Sequence, residues 1–168
     1  MADEVDIVAA RLIEIYESGG RLFTFGNGGS SCDAQHFAEE LIARFRRDRR
    51  ALAATSLSAD ASVVTCIGND FGFEAVFSRQ VEGLVGAGDM VAGFTTSGRS
   101  QNVVRGLAAA RERGATTVLF GGGDGGAASE QADHSFVLRS TDTARIQEMH
   151  VLLLHLIIER VDVWAAGE

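Results

Sequence analysis

Short β-prone runs alternate along this chain with segments of helical periodicity, and no other feature narrows the choice of architecture so far. Asp3 to Glu17 sets Val5, Ile7, Val8, Leu12, Ile13 and Tyr16 at helical spacing and stops at Gly19-Gly20. Arg21 to Phe25 reads as a strand followed by a glycine loop, Gly26 to Ser30, and Ser31 to Phe45 returns to helical spacing. Ala51 to Leu57 predicts a weak strand, Ala61 to Ile67 a short helix before a turn at Gly68-Asn69-Asp70, and Phe73 to Val85 a further helix. Met90 to Phe94, Thr116 to Phe120 and His134 to Leu138 predict three more strands, with helices over Gln101 to Arg113 and Thr143 to about Val163. Strands separated by helices of about ten or more residues form βαβ units, whose strands run parallel. The chain is therefore expected to be one α/β domain over residues 1–168, a five-stranded parallel sheet covered on both faces.

Composition removes several classes of function. With 46% hydrophobic and 23% charged residues the chain can bury a globular core, and no apolar run approaches the roughly 20 residues needed to cross a bilayer. The acidic start, Met1 to Val8, has the wrong sign for a targeting segment, which points to the cytoplasm. A net charge of −8 argues against general nucleic-acid binding but leaves room for a local anion pocket. Cys32 and Cys66 lack metal-type spacing and are expected as free thiols.

Ligands of parallel sheets bind beyond the carboxyl ends of the strands. There, Thr95, Thr96, Ser97 and Ser100 crowd four hydroxyls between a strand and a helix start, a pattern suited to a phosphate dianion at a helix N-terminus. Ordinary capping would use one or two of them. Gly121, Gly123 and Gly126 satisfy G-x-G-x-x-G, but the following segment is short and Ala-rich and has no acidic ribose ligand, so the match is put down to glycine abundance.

A second constellation lies on two predicted helices. His36 and Glu40 stand four apart on one face, and Gln147 and His155 eight apart on another. Two imidazoles, a carboxylate and an amide could hold a divalent metal or divide acid and base roles, although a helical histidine taken alone is more often structural. His150 is expected to pack or to face solvent. Of the basic run Arg44, Arg46, Arg47, Arg49 and Arg50, the last four read as a solvated helix end, while Arg44, one turn past Glu40, is placed towards the same cleft.

Gly26-Asn27-Gly28-Gly29-Ser30, Asp33 to Leu41, Gly68-Asn69-Asp70, Thr96-Ser97-Gly98 with Ser100, and Ala144 to Glu148 running on to His155 together resemble the phosphoheptose isomerases of the sugar-isomerase (SIS) domain superfamily. The resemblance covers the chain in register from about residue 5. It implies a three-layer αβα sandwich and isomerisation of sedoheptulose 7-phosphate to D-glycero-D-manno-heptose 7-phosphate through an enediol, for nucleotide-activated heptose biosynthesis. It implies Glu40 and His155 as the catalytic pair and Thr95, Thr96, Ser97 and Ser100 as phosphate ligands. Asn27, Ser30, Arg44, Asp70 and Gln147 would contact the sugar. His36, Glu40, Gln147 and His155 would bind one zinc per subunit of a homotetramer.

Two positions depart from the family's habit: Thr95 stands where Ser is common, and Arg99 where Asn is common. The chain also starts late, without most of an additional N-terminal helix that helps pack the family's tetramer. Three rival readings remain at this point. One is a non-catalytic SIS protein that binds the bacterial replication initiator, which lacks the Glu and His of the catalytic pair. The others are a sugar-phosphate-sensing regulatory module and an isomerase of another phosphosugar.

Overall fold

A computed structural model describes residues 1–167. Five strands form one parallel sheet in the order β2-β1-β3-β4-β5: β1 Leu22–Gly26, β2 Ala54–Ser56, β3 Met90–Thr95, β4 Thr116–Gly122 and β5 His134–Leu138. Each adjacent pair is parallel, with Phe25 opposite Gly93 and Gly93 opposite Leu119. The helices are α1 Ala2–Glu17, α2 Gly29–Ile42, α3 Ala61–Phe71, α4 Val76–Leu84, α5 Gln101–Glu112, α6 Gly126–Ser129 and α7 Thr143–Ala166. The expected architecture is the observed one.

Side-chain alternation along the strands divides the core into two. Met90, Ala92 and Phe94 point from β3 into a layer shared with α1, α2 and α7, and Phe120 and Phe136 join them from β4 and β5. Phe23, Phe25, Val91 and Leu119 point the other way, towards α3, α4 and α5. The period of two in a strand thus gives the sheet two apolar faces, and the three layers follow.

Three boundaries differ from expectation in ways that matter. The helix α3 continues through Gly68-Asn69-Asp70 to Phe71 and stops at Gly72, whose φ of 90° needs glycine, so no turn lies at 68–70. The expected helix from Phe73 opens with one 3₁₀ turn, Phe73–Ala75, before α4. The helix α2 ends at Ile42 rather than Phe45, which leaves the basic run outside any helix.

Candidate active site

The helices α2 and α7 pack side by side on one face of the sheet and run the same way: Gln147 lies over Gly29, and further along His155 meets His36. His36 Nε2 is 3.1 Å from Glu40 Oε1 and 3.3 Å from His155 Nε2. The donor atoms of His36, Glu40 and His155 all lie within 4.8 Å of one another. The two imidazoles meet edge to face, and Phe45 flanks His155 at 5.2 Å between ring centroids. Partial burial first, and the nearby His36 second, hold the His155 imidazolium below its ordinary pKa, against an opposing pull from Glu40. Its imidazole is therefore neutral at neutral pH.

This donor set fits a metal. Two imidazole nitrogens and a carboxylate oxygen crowd one point with few protons to share among them. A tetrahedral zinc with bonds of about 2.0–2.1 Å separates neighbouring ligands by roughly 3.3 Å, the spacing seen between the two nitrogens. Gln147, named with these three from the sequence, has its amide over Gly29, where an added Cβ would collide with it. Gly29 is seven residues before His36, about 10 Å along α2.

The second group of residues sits at the end of β3. Thr95 Oγ1 lies 3.4 Å from both Ser97 Oγ and Ser100 Oγ, and the Arg99 amide donates to Ser97 Oγ at 3.2 Å. Ser100 occupies the N-cap of α5, yet no side-chain cap bond forms there. Its hydroxyl turns towards Thr95 instead of closing the helix end, so capping does not explain this cluster. The exposed Arg99 guanidinium pairs with Asp124 at 2.7 Å.

Of the glycines set aside in the sequence as a coincidental pattern, Gly126 has a packing reason, which it shares with its neighbour Gly125. The hydroxyl loop lies directly on them: a Cβ on Gly98 would strike the Gly125 carbonyl, and Ala128 N donates to Gly98 O at 3.0 Å. A Cβ on Gly126 would in turn strike the Gly98 carbonyl, and Gly98 and Gly126 both take positive φ, 66° and 50°.

The remaining expected residues are dispersed. Asn27 exchanges two 2.8 Å amide hydrogen bonds with the buried Asn102, which ties the β1 loop to α5. Ser30 is buried in the first turn of α2. Asp70 accepts from Asn69 Nδ2 at 2.7 Å on exposed α3, whose Ile67 belongs to the opposite helical layer from the His36 cluster. Arg44 is exposed beyond the end of α2. His150 packs, fully buried, edge-on to Phe94 and Phe120, with Nε2 3.3 Å from the Gly121 carbonyl. Both cysteines are free.

The basic run corrects one expectation. Arg49 is no solvated helix end; its side chain is fully buried against Asp162 of α7. Arg46 pairs with Glu159 and Arg50 stacks over Trp164 at 4.9 Å. Asp162 gave a sequence signal that went unused: it interrupts the buried stripe Leu154, Ile158, Val161, where a carboxylate requires a cation. Asp33, one turn before His36, was also missed. Among the described residues its Oδ2 is buried without a partner, and burial raises its pKa to about 6 while His36 pulls it back.

A family model described as the SIS domain matches residues 1–122. A phosphoheptose isomerase of Aquifex aeolicus is 46% identical over 161 residues, covering 96% of this chain and 84% of the relative. One of Pelobacter propionicus is 49% identical over 155 residues, covering 92% and 82%. The structure of a phosphoheptose isomerase from Neisseria gonorrhoeae superposes with a TM-score of 0.89 at 38% identity, over 95% of this chain and 85% of that one.

Proposed function

The chain belongs to the phosphoheptose isomerases of the SIS-domain family and isomerises sedoheptulose 7-phosphate in heptose biosynthesis, and we propose that Glu40 and His155 carry its proton transfers. One observation supports this assignment above others: helices 119 residues apart in sequence bring His155 Nε2 to His36 Nε2 at 3.3 Å, beside the Glu40 carboxylate. The replication-initiator reading lacks such a pair by its nature, and both members stand here.

In this mechanism the hydroxyls of Thr95, Thr96, Ser97 and Ser100 hold the phosphate at the N-terminus of α5. Glu40 takes a proton from C1 and returns it to C2, so the ketose passes through an enediol to the aldose. Neutral His155 gives a proton to O2 as that carbonyl becomes a hydroxyl, and takes the proton from O1 as the aldehyde forms. Gln147, Asn27, Ser30 and Arg44 contact the sugar hydroxyls. Zinc would be held by His36, Glu40, Gln147 and His155, and would supply positive charge near an oxygen that becomes anionic.

The active enzyme is a homotetramer of D₂ symmetry in the cytoplasm, acting on a sugar phosphate and not on nucleic acid. Asp70 would line the sugar pocket from α3, whose Ile67 packs in the helical layer opposite the His36 cluster. Exposed Met149 and Leu152 on α7, and Phe71 and Phe73 near α3, supply apolar surface for subunit contacts. Among the described residues no helix is long and apolar enough to cross a membrane.

The test is turnover of sedoheptulose 7-phosphate by purified protein with and without zinc, with metal analysis and sedimentation on the same sample. Zinc at the three donors and a tetramer are expected. Full turnover with no metal at these side chains would remove zinc from the mechanism, and an active monomer would remove the tetramer.

A further inference from the structure

Resting on the reading of Glu40 as the base, we propose that Arg49, locked in place by Asp162, is a positioning residue for Glu40: it fixes the last turn of α2 against α7, and with it the base against His155. The final carbonyls of a helix have no intrahelical partners and need donors from elsewhere. This helix lacks the usual providers. Its cap residue is Ala43, with φ −80° and ψ −98°, rather than a glycine in the left-handed region, and its last turn contains no basic residue. The Ala43 amide serves Glu39 O at 2.8 Å, leaving the carbonyl of Glu40 itself.

Arg49 supplies what is missing. Its Nη2 donates to Glu40 O at 2.7 Å, and its Nη1 to Leu41 O and Arg50 O, both at 2.9 Å. Its Nε donates to Asp162 Oδ1 at 2.8 Å. Asp162 Oδ2 accepts from the amides of Arg47 at 3.0 Å and Arg46 at 3.3 Å. Burial raises the Asp162 pKa, but the bonds from Arg49 and the two amides outweigh it and keep the carboxyl below its ordinary value. Both side chains are fully buried and richly bonded, the condition under which a buried ion pair is tolerable.

Stability alone does not account for this arrangement, because apolar residues of similar volume commonly do as well or better. What apolar residues cannot do is reach two helix carbonyls and a second helix through one rigid planar fork. Asp162 is seven residues beyond His155 on α7, and Glu40 lies two residues before the end of α2. The pair therefore joins the two helices that carry the two catalytic groups.

The experiment compares three proteins. Arg49→Lys keeps a cation for Asp162 but loses the fork. Arg49→Met with Asp162→Leu removes both charges but leaves Glu40 O and the Arg46 and Arg47 amides without these partners, so its melting temperature should fall, and it is assayed only once a folded oligomer is confirmed. Both should lose kcat by on the order of 10²-fold, the typical result of misplacing a catalytic group by about 1 Å, with KM unchanged because the phosphate loop is untouched. In a Glu40→Gln background, Arg49→Lys should cost nothing further. Wild-type kcat in either Arg49 protein, or the same loss repeated without Glu40, would overturn the positioning role while leaving Glu40 as the base. Wild-type turnover in folded Glu40→Gln would overturn the base assignment itself, and Arg49's role with it.

Discussion

The hydroxyl loop after β3 and the α2–α7 seam make opposite use of the chain. The loop is local: Thr95 to Ser100 are consecutive, shaped by one strand end, one helix start and a glycine floor. The seam is assembled from residues more than a hundred positions apart, and its geometry depends on helix packing and on Arg49 and Asp162. A binding site can be written into six residues because a phosphate needs donors in a ring, which one turn supplies. Proton transfer needs a base and its partner at defined distance, which only tertiary structure supplies. The two regions should therefore fail in different ways.

The largest effect should come from the seam. Glu40→Gln keeps shape and hydrogen bonding but removes the proton acceptor, so kcat should fall by about 10² to 10⁴-fold with KM little changed. His155→Gln should lose a similar factor if it serves the sugar oxygens. Steady-state kinetics on variants shown to be folded oligomers would decide the matter. A rise in KM with kcat preserved in either variant would erase the division between the two regions.

The loop should show the reverse pattern with a smaller effect. Ser97→Ala removes a hydroxyl aimed at a charged group, weakening substrate binding by about 1–3 kcal/mol while kcat at saturation persists. Isothermal titration with inorganic phosphate and the KM for sedoheptulose 7-phosphate should move together. Unchanged affinity would leave the Thr95–Ser97–Ser100 contacts as mere loop packing.

The same contrast explains what was legible beforehand. Strand and helix alternation announced the sheet, and the hydroxyl loop announced itself, because both signals are local. His36 with Glu40 was readable from spacing on one helix, but its meeting with His155 needed the family resemblance. Gln80 and Asn102 gave no sequence cue, since a buried amide shows its purpose only when its partners, Leu57 O or Asn27, are in place. The end of α2 was misplaced because Ala43, Arg44 and Phe45 all tolerate helix, and the stop comes from Arg49 and Leu52, which bond its last turn from outside. Likewise Gly68-Asn69-Asp70 looked like a turn, yet α3 is carried through it and stops only where Gly72 takes a positive φ. Arg49 was read by charge alone, and a run of arginines gives no sign of which one is buried.

The smallest effect concerns two groups buried in the seam that titrate against each other. His150, with Nδ1 unpartnered, is held by burial at about 4, below its ordinary 6.5, despite its bond to Gly121 O. A base depressed in the folded state contributes stability above the unfolded pKa and loses it as pH falls, here from about 6.5 towards 4. Asp33 is raised from 3.8 to about 6, so its contribution has the opposite sign: it is fully present below about 4 and lost as pH rises through 6. Across nearly one window the two offset each other. Relative to the wild type in metal-free protein, His150→Phe should therefore gain stability as pH drops from 7 to 4, by about 1–2 kcal/mol once partial relaxation is allowed for. Asp33→Asn should lose stability over the same range, because it removes the group that protonation favours. Urea denaturation at pH 7, 5.5 and 4 would read both slopes. Parallel slopes for the two variants and the wild type would show that neither group stays uncharged in the folded seam.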